Sequence, residues 1–200
     1  SLLDRGFACA IAHIRGGADK GWGWYLDGKR EKKTNTFDDF AAAGRALCDA
    51  KYTSAKRIVG HGGSAGGMLM GAVANRSGDL FAGLVAEVPF VDVVSTMLDD
   101  SLPLTAQEWL EWGDPRIPEQ RAWLSSWSPI ENLPDIADRP ALLVTGAVHD
   151  VRVLVREPAR WVARLRAGDP GQGQGDDTST PASPRTVRAS NWLSPPPTRT

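Results

Sequence analysis

The stretch "RIVGHGGSAGGMLMG", residues 57–71, decides how this chain is read. It opens on a short apolar strand signal, residues 56–60, and passes through glycines to a single serine. It closes on small and apolar residues that fit a buried helix over 64–75. Gly62-Gly63-Ser64-Ala65-Gly66 matches G-x-S-x-G in the context that gives this motif meaning, a strand turning sharply into a helix. A nucleophile at such a turn sits in strained backbone. Its neighbours must be small for the turn to close, and Gly62, Ala65, Gly66 and Gly67 are small. The helix N-terminus then presents backbone N–H groups and partial positive charge to a developing oxyanion. Ala65, directly after the serine, carries the natural donor. A glycine-rich packing turn with a bystander serine is the competing interpretation.

In hydrolases built on this turn the partners follow in the order Ser, Asp or Glu, His. Asp150 lies just past the apolar run "ALLVT", residues 141–145, where an acid can orient an imidazole. A loop aspartate that only forms a turn is the plainer alternative. The base is the difficulty. The three histidines are His13, His61 and His149, and none follows Asp150. The ring of His61, on the incoming strand, is expected to point into the structure. His149 adjoins Asp150, so their side chains should diverge, and His13 is expected to support a loop. The catalytic histidine is therefore unassigned, and without a base serine is a poor nucleophile at neutral pH.

Outward from the serine, apolar runs alternate with helical patterns. Residues 7–14, "FACAIAHI", read as a buried strand. A glycine-rich loop and a short helix follow. Residues 36–50 read as a helix capped by Thr36, with Asp38 and Asp39 in its first turn and Phe37, Phe40, Ala43 and Leu47 as its apolar stripe. Further strands are expected over 84–88 and 141–145. Helices are expected over 105–112 and from Pro158 to Arg166, with proline in the first turn of the latter. The alternation implies an α/β fold: a mostly parallel sheet with helices on both faces. With the serine turn, that is the α/β-hydrolase fold.

With 42% hydrophobic residues the chain can bury a sizeable core, and its net charge of −1 points to no nucleic-acid or membrane partner. Its apolar runs are far shorter than the ~20 residues that span a bilayer. The start, "SLLDRGFACAIAHI", has no initiator Met and no signal-peptide pattern, and it reads as a cut inside a domain. Cys9 and Cys48 fit two buried free thiols in a reducing, cytoplasmic setting. At Ala167 the composition shifts to Gly, Pro, Ser, Thr and charge, so the chain divides into residues 1–166, a hydrolase domain truncated at both ends, and 167–200, a disordered tail. A shifted reading frame and a functional tail both fit that change.

The motifs "HIRGG", "WYLDGK", "KKTNTFDDF", "GGSAGGMLMG", "EVPFVDVVSTMLDDSLPLT", "EWGDP", "SPIENL" and "REPARWVARLR" run collinearly along the chain. Together they resemble the catalytic domain of the prolyl oligopeptidase family, in its oligopeptidase B branch. Those are serine peptidases that cut short peptides after Arg or Lys. The resemblance covers roughly residues 2–166. It implies Ser64 as nucleophile, Asp150 as triad acid and Ala65 as oxyanion donor. It also implies Glu108 as the carboxylate for the basic side chain before the scissile bond, and Arg152 as a substrate contact. A carboxylate suits arginine because the fork pairing is bidentate and charge-assisted. The plainer interpretations are a solvated helix face for Glu108 and a structural ion pair for Arg152. The family implies no metal or cofactor. It does imply a histidine on a loop after the helix near Pro158, an oxyanion tyrosine and an N-terminal β-propeller, none of which these 200 residues contain. A catalytically dead remnant, or an esterase or lipase on the same fold, is the alternative.

Overall fold

In the computed structural model, residues 1–133, 139–168 and 188–191 are described. The chain forms α1 (Trp22–Leu26), α2 (Thr34–Asp49), β1 (Ile58–Gly63), α3 (Ala65–Ser77), β2 (Phe81–Glu87) and α4 (Val93–Leu98). It continues through α5 (Thr105–Glu108), α6 (Pro118–Trp127), β3 (Ala141–Gly146), α7 (Arg156–Ala167) and β4 (Arg188–Asn191). Among the described residues four strands make one parallel sheet in the order β1-β2-β3-β4. The expected α/β-hydrolase architecture, a parallel sheet with helices, is what the chain forms; among the described residues the face that carries Val59, His61 and Leu143 is open rather than covered.

Period-2 burial along the strands fixes which face meets the core. Gly60, Leu84, Ala86, Leu142 and Val144 are buried, while Val59, His61, Glu87, Ala141 and Leu143 on the alternate positions are exposed. α3 packs on β1 and β2 and buries every residue from Gly67 to Ala74, which its small and apolar sequence allows. α7 packs on β3 through Trp161, Val162 and Leu165. Each such buried side chain contributes about 1.5–3 kcal/mol relative to exposure. No helix among the described residues is long and apolar enough to cross a membrane.

Several expectations change. Residues 7–14 form no strand: Phe7 is 55% exposed and Ile11 86%. An apolar run becomes a strand only when a neighbour completes its ladder, and among the described residues none lies alongside it. Cys9, in that run, is accordingly exposed rather than buried, and Cys48 is half-buried on α2; both are free. Thr36 does not cap α2, which starts two residues earlier. Its hydroxyl donates to the Arg15 carbonyl at 2.8 Å and lies 3.1 Å from that of Gly28. With the earlier start the buried stripe becomes Phe37, Ala41 and Gly44, and Asp38 and Asp39 leave the first turn. The expected helix over 105–112 is α-helical only to Glu108 and then continues as turns. Of the stretch expected as a tail, residues 188–191 form β4 beside β3, and most of the remainder lies outside the described residues.

Candidate active site

Ser64 sits between β1 and α3 with φ 55° and ψ −116°, backbone that a non-glycine residue rarely adopts. The surroundings hold it there. Its N–H donates to the Glu87 carbonyl at 2.9 Å, and its carbonyl accepts from Phe90 at 3.2 Å as well as from Met68 at 3.0 Å. The end of β2 and the segment after it therefore grip both backbone groups of the serine. Val88 at φ 38° makes that possible by turning the chain sharply back across the strand ends, with its N–H on the Thr145 carbonyl of β3. Gly62 is obligatory for the turn, because a Cβ there would collide with the Gly66 backbone.

The Ser64 side chain is exposed at the mouth of a pocket that Thr96, Met97, Glu108, Trp112 and Arg152 also line. The Ala65 N–H, at the first position of α3, has no protein acceptor among the described residues, as an oxyanion donor requires. Glu108 is half-buried, and its Oε2 accepts from Trp112 Nε1 at 2.8 Å, which fixes the carboxylate against the pocket wall. Arg152 is exposed and makes no ion pair among the described residues.

Asp150 stands in the loop after β3, outside the pocket lining. Its Oδ1 accepts from the N–H groups of Arg152 at 2.8 Å and Val153 at 3.0 Å, so it does form a turn, while Oδ2 bonds to nothing among the described residues. The three histidines lie elsewhere. His61 does not point inward: it is exposed, with Nε2 3.4 Å from Glu87 Oε2, because its strand position lies on the open face of the sheet. His13 Nδ1 is 3.1 Å from Asp19 across the glycine-rich loop, and His149 is exposed. None of them hydrogen-bonds Ser64 Oγ among the described residues.

The sequence reading missed most of the pocket wall. Thr96 and Met97 belong to α4, a two-turn helix between proline-containing loops, and nothing local ties it to the serine. The i, i+4 spacing of Glu108 and Trp112 was the one local signal available.

A serine held at a strained strand-to-helix turn over a parallel sheet defines the α/β-hydrolase class. Within it, the chain belongs to the prolyl oligopeptidase family, whose model matches residues 1–179. Protease 2 of Moraxella lacunata is 52% identical over 166 residues, covering 83% of this chain and 24% of the relative. Dipeptidyl aminopeptidase BI of Pseudoxanthomonas mexicana is 46% identical over 173 residues, 86% of this chain and 24% of the relative. Among solved structures, oligopeptidase B from Leishmania major superposes with TM-score 0.73 at 46% identity, covering 78% of this chain and 22% of that one. Oligopeptidase B from Trypanosoma brucei, with covalently bound antipain in a closed form, gives 0.79 at 40% identity, covering 90% and 24%. The chain thus spans about a quarter of the length of these relatives.

Proposed function

We propose that this chain carries the nucleophile and the basic-residue pocket of a serine oligopeptidase that cleaves short peptides after Arg or Lys. The observation that carries the reading is that Ser64 and Glu108 line one pocket. In this scheme Ser64 Oγ attacks the scissile carbonyl carbon and its proton passes to a base. The tetrahedral oxyanion rests on the Ala65 N–H. As the C–N bond breaks, the base gives its proton to the departing amine, and water then hydrolyses the ester on Ser64. Glu108 receives the basic side chain, and Arg152 contacts the peptide from the opposite wall. Asp150, with Oδ2 uncommitted, orients the base. The histidine for that role is unassigned among His13, His61 and His149. Two free cysteines support a reducing, cytoplasmic setting.

Hydrolysis of an arginyl-amide peptide and its citrullyl counterpart by the 200-residue chain, beside Ser64→Ala and Glu108→Lys, tests this. The reading expects turnover that needs Ser64, favours arginyl and loses that preference in Glu108→Lys. Turnover equal to that of Ser64→Ala makes the chain a catalytically dead remnant. Ser64-dependent ester cleavage with no arginyl preference makes it an esterase on the same fold.

A further inference from the structure

Glu157, the second residue of α7, is 1% exposed, and no step of the chemistry above uses it. A carboxylate is rarely buried this completely unless its oxygens are satisfied. Its Oε2 accepts from the backbone N–H groups of Val91 and Asp92, each at 3.0 Å. Its Oε1 accepts from the Thr96 hydroxyl at 2.8 Å. The first two are donors at the start of α4, and the third lies one turn further on, so one side chain fixes the whole of this short helix. One turn along α7, Arg160 pairs with the buried Asp92 carboxylate and ties down the same end.

α4 in turn carries the pocket. The Thr96 carbonyl accepts from Thr105 Oγ1 at 3.1 Å, at the start of α5, the helix that ends in Glu108. The Met97 carbonyl accepts from Trp109 Nε1 at 3.0 Å. Glu157 also closes the loop behind it through its own N–H on the Leu154 carbonyl at 2.9 Å. That loop supplies Arg152 and Val153 to the same pocket lining. Glu157 therefore holds two of the segments that line the pocket.

We infer that Glu157 is a positioning residue for the basic-side-chain pocket: through Thr96 it sets where the Glu108 carboxylate stands relative to Ser64. The inference rests on the proposed assignment of that pocket. Three polar contacts converge on Glu157, yet it never touches the substrate. Its loss should alter recognition of the cationic group rather than reactivity at Ser64.

The test is binding of N-acetyl-arginine amide and N-acetyl-citrulline amide to the 200-residue chain, to Glu157→Gln, Glu157→Ala and Thr96→Val. Thr96→Val removes the hydroxyl bond to Glu157, and since Thr96 also lines the pocket it is read beside Glu157→Ala, which leaves the lining untouched. It should weaken the arginine ligand by about tenfold, the scale of one hydrogen bond to a charged group, and weaken the citrulline ligand less. Glu157→Ala should do at least as much. Glu157→Gln, which can accept from Val91 and Asp92 and donate to Thr96, should recover most of the preference. If the unsubstituted chain does not prefer arginine, the pocket assignment fails and the inference fails with it. If it prefers arginine and Thr96→Val keeps that preference in full, the pocket stands and the role of Glu157 is overturned. Equal loss of both ligands in a variant whose melting transition is intact also overturns it, since Glu157 would then act on the pocket without selecting charge.

Discussion

Gly67 of α3 lies directly against Pro89: a Cβ on Gly67 would come within 2.7 Å of both the Cα and the Cβ of the proline. This contact lets the segment after β2 close over the serine, where the Phe90 N–H reaches its carbonyl. Gly66, one residue earlier, has nothing within 4 Å of where its Cβ would stand. The two adjacent glycines are therefore not equivalent. Gly67→Ala must push the rigid Pro89 ring away and should lower stability by about 1–3 kcal/mol. Gly66→Ala should be neutral or stabilising by up to about 1 kcal/mol, because alanine loses less backbone entropy in a helix. Urea unfolding of the two variants decides. Equal midpoints would mean that Pro89 does not brace the turn.

Arg15 grips Asp39 with Nε at 2.8 Å and Nη2 at 2.6 Å, and its backbone N–H adds a third bond at 2.9 Å. The hydrogen bond from the guanidinium holds the Asp39 carboxyl below its ordinary value of 3.8, against the opposing effect of burial. A carboxyl with a depressed folded pKa contributes stability above its unfolded value and loses it as pH falls through the folded value. The chain should therefore lose stability progressively below about pH 4. Asp39→Asn should remove that part of the acid limb and cost about 1–3 kcal/mol at neutral pH. Unfolding midpoints between pH 2 and 7 measure both. An unchanged acid limb in the variant would place the titration elsewhere.

Glu157 has the opposite sign. Burial raises its carboxyl above 4.5, with the Asp92 carboxylate adding to the rise, while the bonds from Thr96, Asp92 and Val91 oppose it. A raised acid is more easily protonated in the folded state. Its stabilising contribution is full below the unfolded value and is lost as pH climbs through the folded one. The unsubstituted chain should thus show a falling component of stability above pH 4.5, and Glu157→Gln should flatten it. The same series of midpoints shows whether that slope disappears.

The parts of the fold visible in the sequence are those whose pattern is local. β2 and β3 are apolar runs, and β1 leads into a glycine-framed serine that only a strand-to-helix turn explains. α7 was equally plain from Trp161, Val162 and Leu165. α4 was not, because its six residues are too few to establish a helical period and the buried Val91 and Asp92 run straight into it. α6 begins at Pro118 and buries only Leu124 and Trp127, too few to mark a face. Residues 7–14 have a strand's composition, but a strand also needs a neighbour, which composition does not encode. The site divides in the same way. The strand-to-helix turn at Ser64 was legible from the small residues around it, and the place of Asp150 just past β3 from the apolar run before it. Glu157 was not, since its three partners lie 61 to 66 residues away in the chain.

The open face of the sheet sets solubility. Val59, at the β1 edge among the described residues, is 56% exposed, and Leu143 on β3 is 38% exposed. They belong to the same face, two strands apart in register, since Val85 pairs with both His61 and Leu143. Parallel sheets normally have both faces covered, and an open apolar edge strand invites pairing with another chain. The 200-residue chain should therefore self-associate at micromolar concentration. Val59→Lys with Leu143→Thr should reduce that association. Lysine at an edge blocks strand addition, and threonine brings a β-branched side chain suited to a strand together with a polar surface. Both sites are already exposed, so unfolding stability should change by no more than about 0.5 kcal/mol each. Sedimentation velocity on the two proteins is the check. Association that persists undiminished in the double variant would locate it on another surface, such as the exposed run around Phe7 and Ile11.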